Sequence, residues 1–570
     1  MVTAMGMGMA ASAQLPSVPH TNGLQRVSEY ISTRFACPTI RPVSRRSSRQ
    51  VKGKAIFLTL LAAPVSAQIV PNTQITSGRD SIATAIPSTQ TAASTGFRLV
   101  PSVELTERYS DNISLTVASL AQSDWLTTIS PGVYFEYRAA RASAVLDFRL
   151  SRLIYGRFSN LDNTQRRLSS TANVELIEKW LFVDARASTS QQNRSVFGAA
   201  EVVETASART NRIETTAYQI APSIRGNISS AATYLLRLSG TETRAGDSAF
   251  PNSAIYDWSA AVRSAAAGPI AWSMDVTGLS TDSGTDGRKR DSRLRGTAIF
   301  ETDPQIHLSV LAGQEISNLN GTGNRATNIA GIGIEWLPSN RTRFSVLSQR
   351  RFFGNDLRLA FSYRTPLTVW RFVSTKDVIA PTTIGSSTSA ALSNSGQPSQ
   401  SGGTDASPTS QGSSTSSDAG LSSVTGLQSG SFIVRPYMSR RDELSVSLVG
   451  SRNNVTFSAN RREQRAVDSN APTSNGSVPI EEVRQITANL SWAYRLSPIS
   501  TMRVVLSRTR TEGLFVEGQT TTQQLQSIFY DARLGLHTYA TIGLQRIHFD
   551  STVVTSFREN AFVSSLAFRF

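Results

Sequence analysis

Cysteine is almost absent from this 570-residue chain, and its scarcity removes two classes of protein at once. The lone Cys37 can build neither a disulfide framework nor a Cys-based zinc site. Histidine is nearly as rare. His20, His307, His537 and His548 leave little for a His-rich centre, so no metal or cofactor is expected. Charge is thin as well, at 17% of residues against roughly 25% in typical soluble domains. No unbroken apolar run approaches the roughly 20 residues that a spanning helix needs. Mean hydropathy is −0.17, and together these two facts exclude a helical membrane bundle. What fills the chain instead is Ser, Thr, Gly and Asn, a composition that suits β-structure.

The basic excess is large but scattered. Lys and Arg total 57 against 41 acids, a formal net charge of +16, and Arg supplies all but five of the basic residues. Eight basic residues and Glu29 precede Gln68, so removing that segment lowers the charge to +9. The remaining charges alternate in sign along the chain rather than forming one basic stripe, which does not fit a nucleic-acid partner.

Residues 45–67 read as an export signal. Arg45, Arg46, Arg49, Lys52 and Lys54 form a positive n-region, and Ala55 to Val65 an apolar core. Val65-Ser66-Ala67 places small residues at −3 and −1, so cleavage is expected between Ala67 and Gln68. Residues 1–50 then read as an over-extended start, with 51–67 as the signal core. Residues 68–96 follow as a disordered periplasmic lead-in.

Downstream the period is two. Leu146, Phe148 and Leu150 alternate with Asp147, Arg149 and Ser151, and Leu357, Leu359, Phe361 and Tyr363 alternate with Arg358, Ala360, Ser362 and Arg364. Such strands show one face to an apolar phase and the other to water. They run to the 9–11 residues or more that cross a bilayer at a tilt, longer than most soluble strands. Connections alternate in length: SDNISLTVASLAQSD is long where AARAS, EKW, AGP, DPQ and PSN are short. Long and short hairpins in alternation mark an antiparallel transmembrane β-barrel of the bacterial outer membrane. The spacing predicts about 22 strands, within a range of 18–24, among them 440–452 and 527–538. Residues 97–378 and 431–570 form two parts of one barrel. Between them, residues 379–430 are rich in Ser and lack aromatic residues, which predicts a flexible loop on the outer face.

The chain ends NAFVSSLAFRF, with Phe562, Leu566, Phe568 and Phe570 on one face of a last strand. This resembles the C-terminal signal of outer-membrane barrels, and it implies the barrel-assembly machinery as a partner. Outer-membrane lipid and lipopolysaccharide are the expected surroundings. Signatures of catalysis are missing: there is no GxSxG, HExxH, P-loop or EF-hand loop. His548 and Asp550 near the outer end of a strand are the residues a barrel hydrolase would use, but a lone His-x-Asp pair is far more often ordinary barrel lining. Arg288-Lys289-Arg290 reads as a solvated outer loop able to meet lipopolysaccharide phosphate.

Several stretches resemble a known family: VELTERYSDNI (103–113), 129–158, 168–198, YQIAPSIRG (218–226) and QRRFFGNDLRLAFSYRT (349–365). The family is that of PEP-CTERM/exosortase system-associated outer-membrane proteins, and the similarity extends more weakly over 440–570. The resemblance implies a non-enzymatic conduit or accessory for exopolysaccharide, with its export apparatus as partner. A general diffusion porin or structural barrel is the alternative, and a hydrolase built on His548 and Asp550 a third. With strands about 4.8 Å apart and tilted about 40°, 22 of them close to a backbone diameter of about 44 Å, which needs occluding. Infolded outer loops, the Ser-rich segment or inward arginines could serve. Arg149, Arg358, Arg364, Arg495 and Arg533 are expected on the lumen face, with ion pairing as their first role. N-terminal sequencing of the outer-membrane form should return Gln68 as the first residue; an intact Met1 there would refute the cleavage.

Overall fold

The computed structural model describes residues 96–199, 211–248, 250–265, 270–282, 288–320, 323–379, 436–467, 482–514 and 518–570. The expected signal with Ala67 and Gln68, the lead-in before residue 96, and the Ser-rich loop from residue 380 lie outside them. The described residues form one antiparallel sheet of 22 strands that closes on itself. Its first third comprises β1 (Gly96–Ser110), β2 (Asp124–Arg138), β3 (Ala142–Tyr155), β4 (Asn163–Ile177), β5 (Leu181–Asn193), β6 (Arg212–Ile228) and β7 (Ala232–Ala245). Next come β8 (Ser253–Ser264), β9 (Ile270–Asp282), β10 (Arg288–Asp303), β11 (Ile306–Ser317), β12 (Arg325–Ser339), β13 (Thr342–Arg351), β14 (Gly354–Arg364) and β15 (Thr368–Ile379). The last part is β16 (Tyr437–Val449), β17 (Asn453–Ala466), β18 (Val483–Ser497), β19 (Ser500–Gly513), β20 (Thr520–Arg533), β21 (Thr538–Ser551) and β22 (Phe557–Arg569).

Burial runs opposite to that of a soluble protein. On β11, His307, Ser309, Glu315 and Ser317 are buried, while Leu308, Val310 and Ile316 are exposed. The outer face is thus apolar and the inner face polar, as a strand between lipid and a wet lumen must be. Trp272, Trp336, Trp370 and Tyr363 stand exposed on the outer face near one rim and form part of an aromatic girdle. No helix among the described residues is long and apolar enough to cross a membrane, and the crossing is made by strands. The protein is a barrel of the bacterial outer membrane.

Orientation follows from the connections. Residues 139–141, 178–180, 229–231 and 340–341 make tight turns at the rim that also holds both ends of the barrel, Gly96 and Phe570. Lys179 and Ser229 take positive φ (57° and 55°) to close two of these turns. Residues 111–123, 194–211, 380–436 and 467–482 connect strands at the opposite rim. Short turns face the periplasm in such barrels, so the long connections face outward.

Strand positions agree with the periodicity except near the C-terminus. Residues 527–538 were expected as a strand, whereas β20 spans Thr520–Arg533. The start was missed because Thr520 to Gln524 is polar on both faces, lying beyond the apolar band. The end was overrun because Leu534 and Leu536 look like strand residues but stand 65% and 78% exposed on a tight turn. That turn is closed by the Leu534 N–H donating to the Thr538 carbonyl at 2.9 Å. β16 likewise begins and ends three residues before the expected 440–452.

Closure depends on the ladder between β1 and β22, which runs from Ser102↔Arg569 to Ser110↔Ala561. A charged clasp spans it on the inner face. Arg108 of β1 donates to Glu559 of β22 at 2.6 Å and to Gln545 of β21 at 3.0 Å, and Ser110 donates to the same carboxylate at 2.6 Å. Arg108 and Glu559 are 2% and 1% exposed. Removing one partner of a buried pair strands the other charge, which costs about 3–5 kcal/mol. Glu559→Ala should therefore unfold at a lower temperature in heat-modifiability gels, and Glu559→Gln, which keeps an acceptor oxygen for Arg108 and Ser110 but not the charge, should fall between it and wild type. Equal mobility shifts for wild type and Glu559→Ala would show that the clasp does not hold the closure.

Candidate functional site: the lumen and its outer mouth

Alternation sends the polar half of every strand into the lumen, and there the charges pair. Arg149 of β3 donates to Glu104 of β1 at 2.9 Å, and Arg237 of β7 to Asp184 of β5 at 3.0 Å. Arg503 of β19 lies 3.3 Å from Asp531 of β20, which also accepts from Thr541 at 2.8 Å. The densest group lies on the outer half of the wall from β9 to β15. Arg351 donates to Asp377 at 2.7 Å and also to Glu315, and Arg358 donates to Asp377 and to Asp356 at 3.0 Å each. Gln349 completes Asp356 at 2.6 Å, and Arg295 reaches Asp275 at 3.4 Å. Guanidinium forks bind carboxylates through two N–H groups at once, so this arc is a stiff lattice rather than a loose brush.

The arginines picked from the sequence sort into two groups. Arg149 and Arg358 belong to the ion-paired wall. Arg364, Arg495 and Arg533 sit near the periplasmic rim, where Arg533 donates to the carbonyls of Gly535 and Leu536 at 3.0 and 3.3 Å. Glu104, Glu315, Arg351 and Asp377 were missed; their signal was the same parity, applied to acids as well as to arginine. Phe562, Leu566 and Phe568 share the outward face of β22, and the Phe570 N–H donates to the Pro101 carbonyl at 3.0 Å.

Two sequence readings are corrected by side-chain direction. His548 and Asp550 lie 2.9 Å apart, but they share the outward face of β21 with Ile542 and Leu544, so they do not line the lumen. Arg288-Lys289-Arg290 is not a loop: it opens β10, paired in register with Asp282, Thr281 and Ser280 of β9. Among the described residues no cluster of His, Cys, Asp and Glu could hold a metal ion.

The mouth is where long connections do something unexpected. After β5 the chain turns inward, and Val196 and Phe197 pack against Val483 at the outer end of β18, all three under 9% exposed. β19 to β22 and β1 to β4 lie between these strands around the circumference, so the contact reaches nearly across the barrel. Ala199 of the same connection touches the inward cluster of Leu525, Ile547, Phe549 and Phe557, and Leu115 from the β1–β2 connection joins it there. Asn211 staples the base of the loop, accepting from the Ser195 N–H at 2.9 Å and donating to the Ser195 and Ala199 carbonyls at 3.1 and 3.3 Å. Arg194 pairs with Asp247 and covers the Phe250 ring at 5.5 Å. The β1–β2 connection is fixed similarly: Ile113 is buried against Leu126, Leu153 and Tyr155, and Asn112 donates to the Thr116 and Arg558 carbonyls at 2.7 and 3.0 Å.

Gly198 is the position that this staple requires. A Cβ there would lie 2.2 Å from the Asn211 amide nitrogen, so any side chain must displace it. Gly198→Val should release the loop. In a Val196→Cys background a membrane-impermeant maleimide should label intact cells several-fold faster with Gly198→Val than with Gly198 retained. Equal labelling rates would mean that the loop is not held by Asn211.

No protein-family model matches the chain, and no curated protein matches it. Solved structures do resemble the barrel. The siderophore receptor PirA from Pseudomonas aeruginosa is 10% identical, with 84% of this chain and 81% of that chain covered at a TM-score of 0.43. A mutant ferric enterobactin receptor from Pseudomonas aeruginosa, in complex with enterobactin, is 10% identical over 84% and 82% of the chains, with a TM-score of 0.46. The FrpB iron transporter from Neisseria meningitidis is 10% identical over 82% and 81%, with a TM-score of 0.45. Such identities speak to the fold alone. The expected role in exopolysaccharide export is corrected here, because the solved structures that the chain is similar to are siderophore receptors and iron transporters. That role is not carried forward.

Proposed function

We propose that this protein is a non-enzymatic transport barrel that carries a polar ligand across the outer membrane, with a mouth closed at rest by its own infolded outer loop. The observation that supports this reading is the contact of Val196 and Phe197 with Val483. A surface loop gains nothing by crossing a mouth unless it covers something. Here it covers a lumen whose wall is lined by guanidinium, carboxylate, hydroxyl and amide groups. Across the mouth the gate is held by Val196, Phe197 and Ala199, with Asn211 and Arg194 fixing its base, a contact small enough to be displaced by a ligand that binds the open form better. The ion-paired arc from Asp275 to Asp377, on the wall from β9 to β15, offers fixed donors and acceptors along the path.

Liposome swelling tests the gate and the passage together. With the purified full chain, arabinose, lysine and glutamate should enter slowly through wild type and quickly through Val196→Ser/Phe197→Ser. Single-channel conductance should rise in the same variant. A wild-type barrel that swells as fast as the variant would overturn the gate. A variant that admits none of the three solutes would overturn transport through the lumen.

A further inference from the structure

The outward face of a membrane barrel should be apolar, yet one sector of this one is rich in arginine. Cross-strand register places Arg440 (β16), Glu463 (β17), Arg484 (β18) and Glu512 (β19) in one row. Asp442, Arg461, Ile486 and Arg510 form the next row, and Arg508 stands opposite Ala488 one step lower. All share the face of Leu444, Phe457, Leu490 and Leu506, which begins immediately on the periplasmic side of them. The sector therefore sits at the outer edge of the apolar band, toward the long connections.

Its charges do not cancel. Six arginines (Arg440, Arg461, Arg465, Arg484, Arg508 and Arg510) face four acids, Asp442, Glu463, Glu512 and Glu482, the last accepting from the Ala466 N–H at 3.1 Å. Each acid is already engaged. Glu463 contacts Arg461, Arg484 at 2.9 Å and Arg465 at 3.9 Å, while Glu512 takes Arg510 at 2.8 Å and Arg484 at 3.8 Å. Asp442 lies 3.6 Å from Arg440. The excess positive charge spans four strands, about 15 Å, and the guanidinium is the side chain best shaped for bidentate phosphate binding.

A second feature adjoins it. On the same outward face, a groove of about 560 Å³ runs over β19 to β22 and the end of β1. Its floor is Val504, Leu506, Ile528, Leu544 and Phe562, and its outer rim carries Gln526, Arg546, Asn560 and Asp111, whose carboxylate accepts from the Asn560 amide at 2.7 Å. Leu506 belongs to the groove, and Arg508, two residues along the same strand face, to the basic sector. An apolar trough whose β19 side borders a basic sector, facing lipid, matches an amphiphile with a phosphorylated head and acyl tails.

We propose that this face binds one molecule of lipopolysaccharide, with the lipid A phosphates on Arg484, Arg508 and Arg510 and an acyl chain in the groove. The site is separate from the lumen and does not depend on the transport reading.

Native mass spectrometry of the full chain in detergent tests this, with bisphosphorylated and dephosphorylated lipid A as probes. Wild type should retain the phosphorylated form at least tenfold better. Arg484→Gln/Arg508→Gln/Arg510→Gln should abolish that preference while keeping its heat-modifiable mobility. Should the triple variant fail to fold, Arg508→Gln alone should weaken the preference, and Leu506→Gln should weaken retention of both lipids. Equal retention of the two lipids by wild type would overturn the proposal, as would a preference that survives loss of the arginines. Displacement of lipid A by millimolar inorganic phosphate would also overturn it, since the site would then hold a free ion and not the lipid.

Discussion

Every feature of this molecule depends on one constraint: in a bilayer, no backbone N–H or C=O at a sheet edge has water to turn to. A sheet there must close, because each unpaired group costs several kcal/mol and a single open edge carries many. The β1–β22 ladder meets that demand, and it joins residues more than four hundred apart in sequence. The Arg108–Glu559 clasp lies over this ladder and nowhere else, on the one seam whose strands are not joined by a hairpin. Hairpin neighbours find each other through short loops, whereas the seam must be recognised at the end of folding. A buried ion pair is costly to misalign, which makes it suited to setting that register.

Closure then divides the molecule between two solvents. Lipid takes the outward residues and enforces the apolar band; the lumen takes the inward ones and allows charge. A wide lumen dilutes contacts across its centre, so inward arginines find acids one or two strands away along the wall rather than on the opposite side. Arg149 with Glu104 and Arg351 with Glu315 and Asp377 follow that rule. The wall is consequently rigid. Movement belongs to the loops at the mouth, where small apolar contacts are backed by a few hydrogen bonds. Transport through a stiff wall and a releasable cover needs no change in the barrel itself, and local opening of weakly held loops is the least costly motion available to it.

The sequence by itself determined the fold to a fine level. Lipid on one face and water on the other leave a period-two signature, and strands long enough to cross a bilayer with alternating long and short connections separate it from a soluble sandwich; 22 strands were legible from it. It failed where a strand leaves the bilayer, as at Thr520 to Gln524, since two wet faces carry no alternation. Parity also fixed the inward direction of Arg149 and Arg358, because side-chain direction in a strand is local. It misjudged His548 and Asp550, for which a near-rim position was read as lumen lining without counting their face from Leu544.

Tertiary structure alone decided three things: which charges meet, what covers the mouth, and where outward arginines gather. Val196 and Val483 are separated by half of the chain, and nothing in either local stretch encodes the other. Arg440, Arg461, Arg484 and Arg510 come from four strands and align only through register, a sum of every turn and bulge between them. Local pattern fixes the direction in which each residue points. Which residues share a patch is fixed by the closure of the sheet, because only a closed barrel gives all 22 strands one common inside and one common outside.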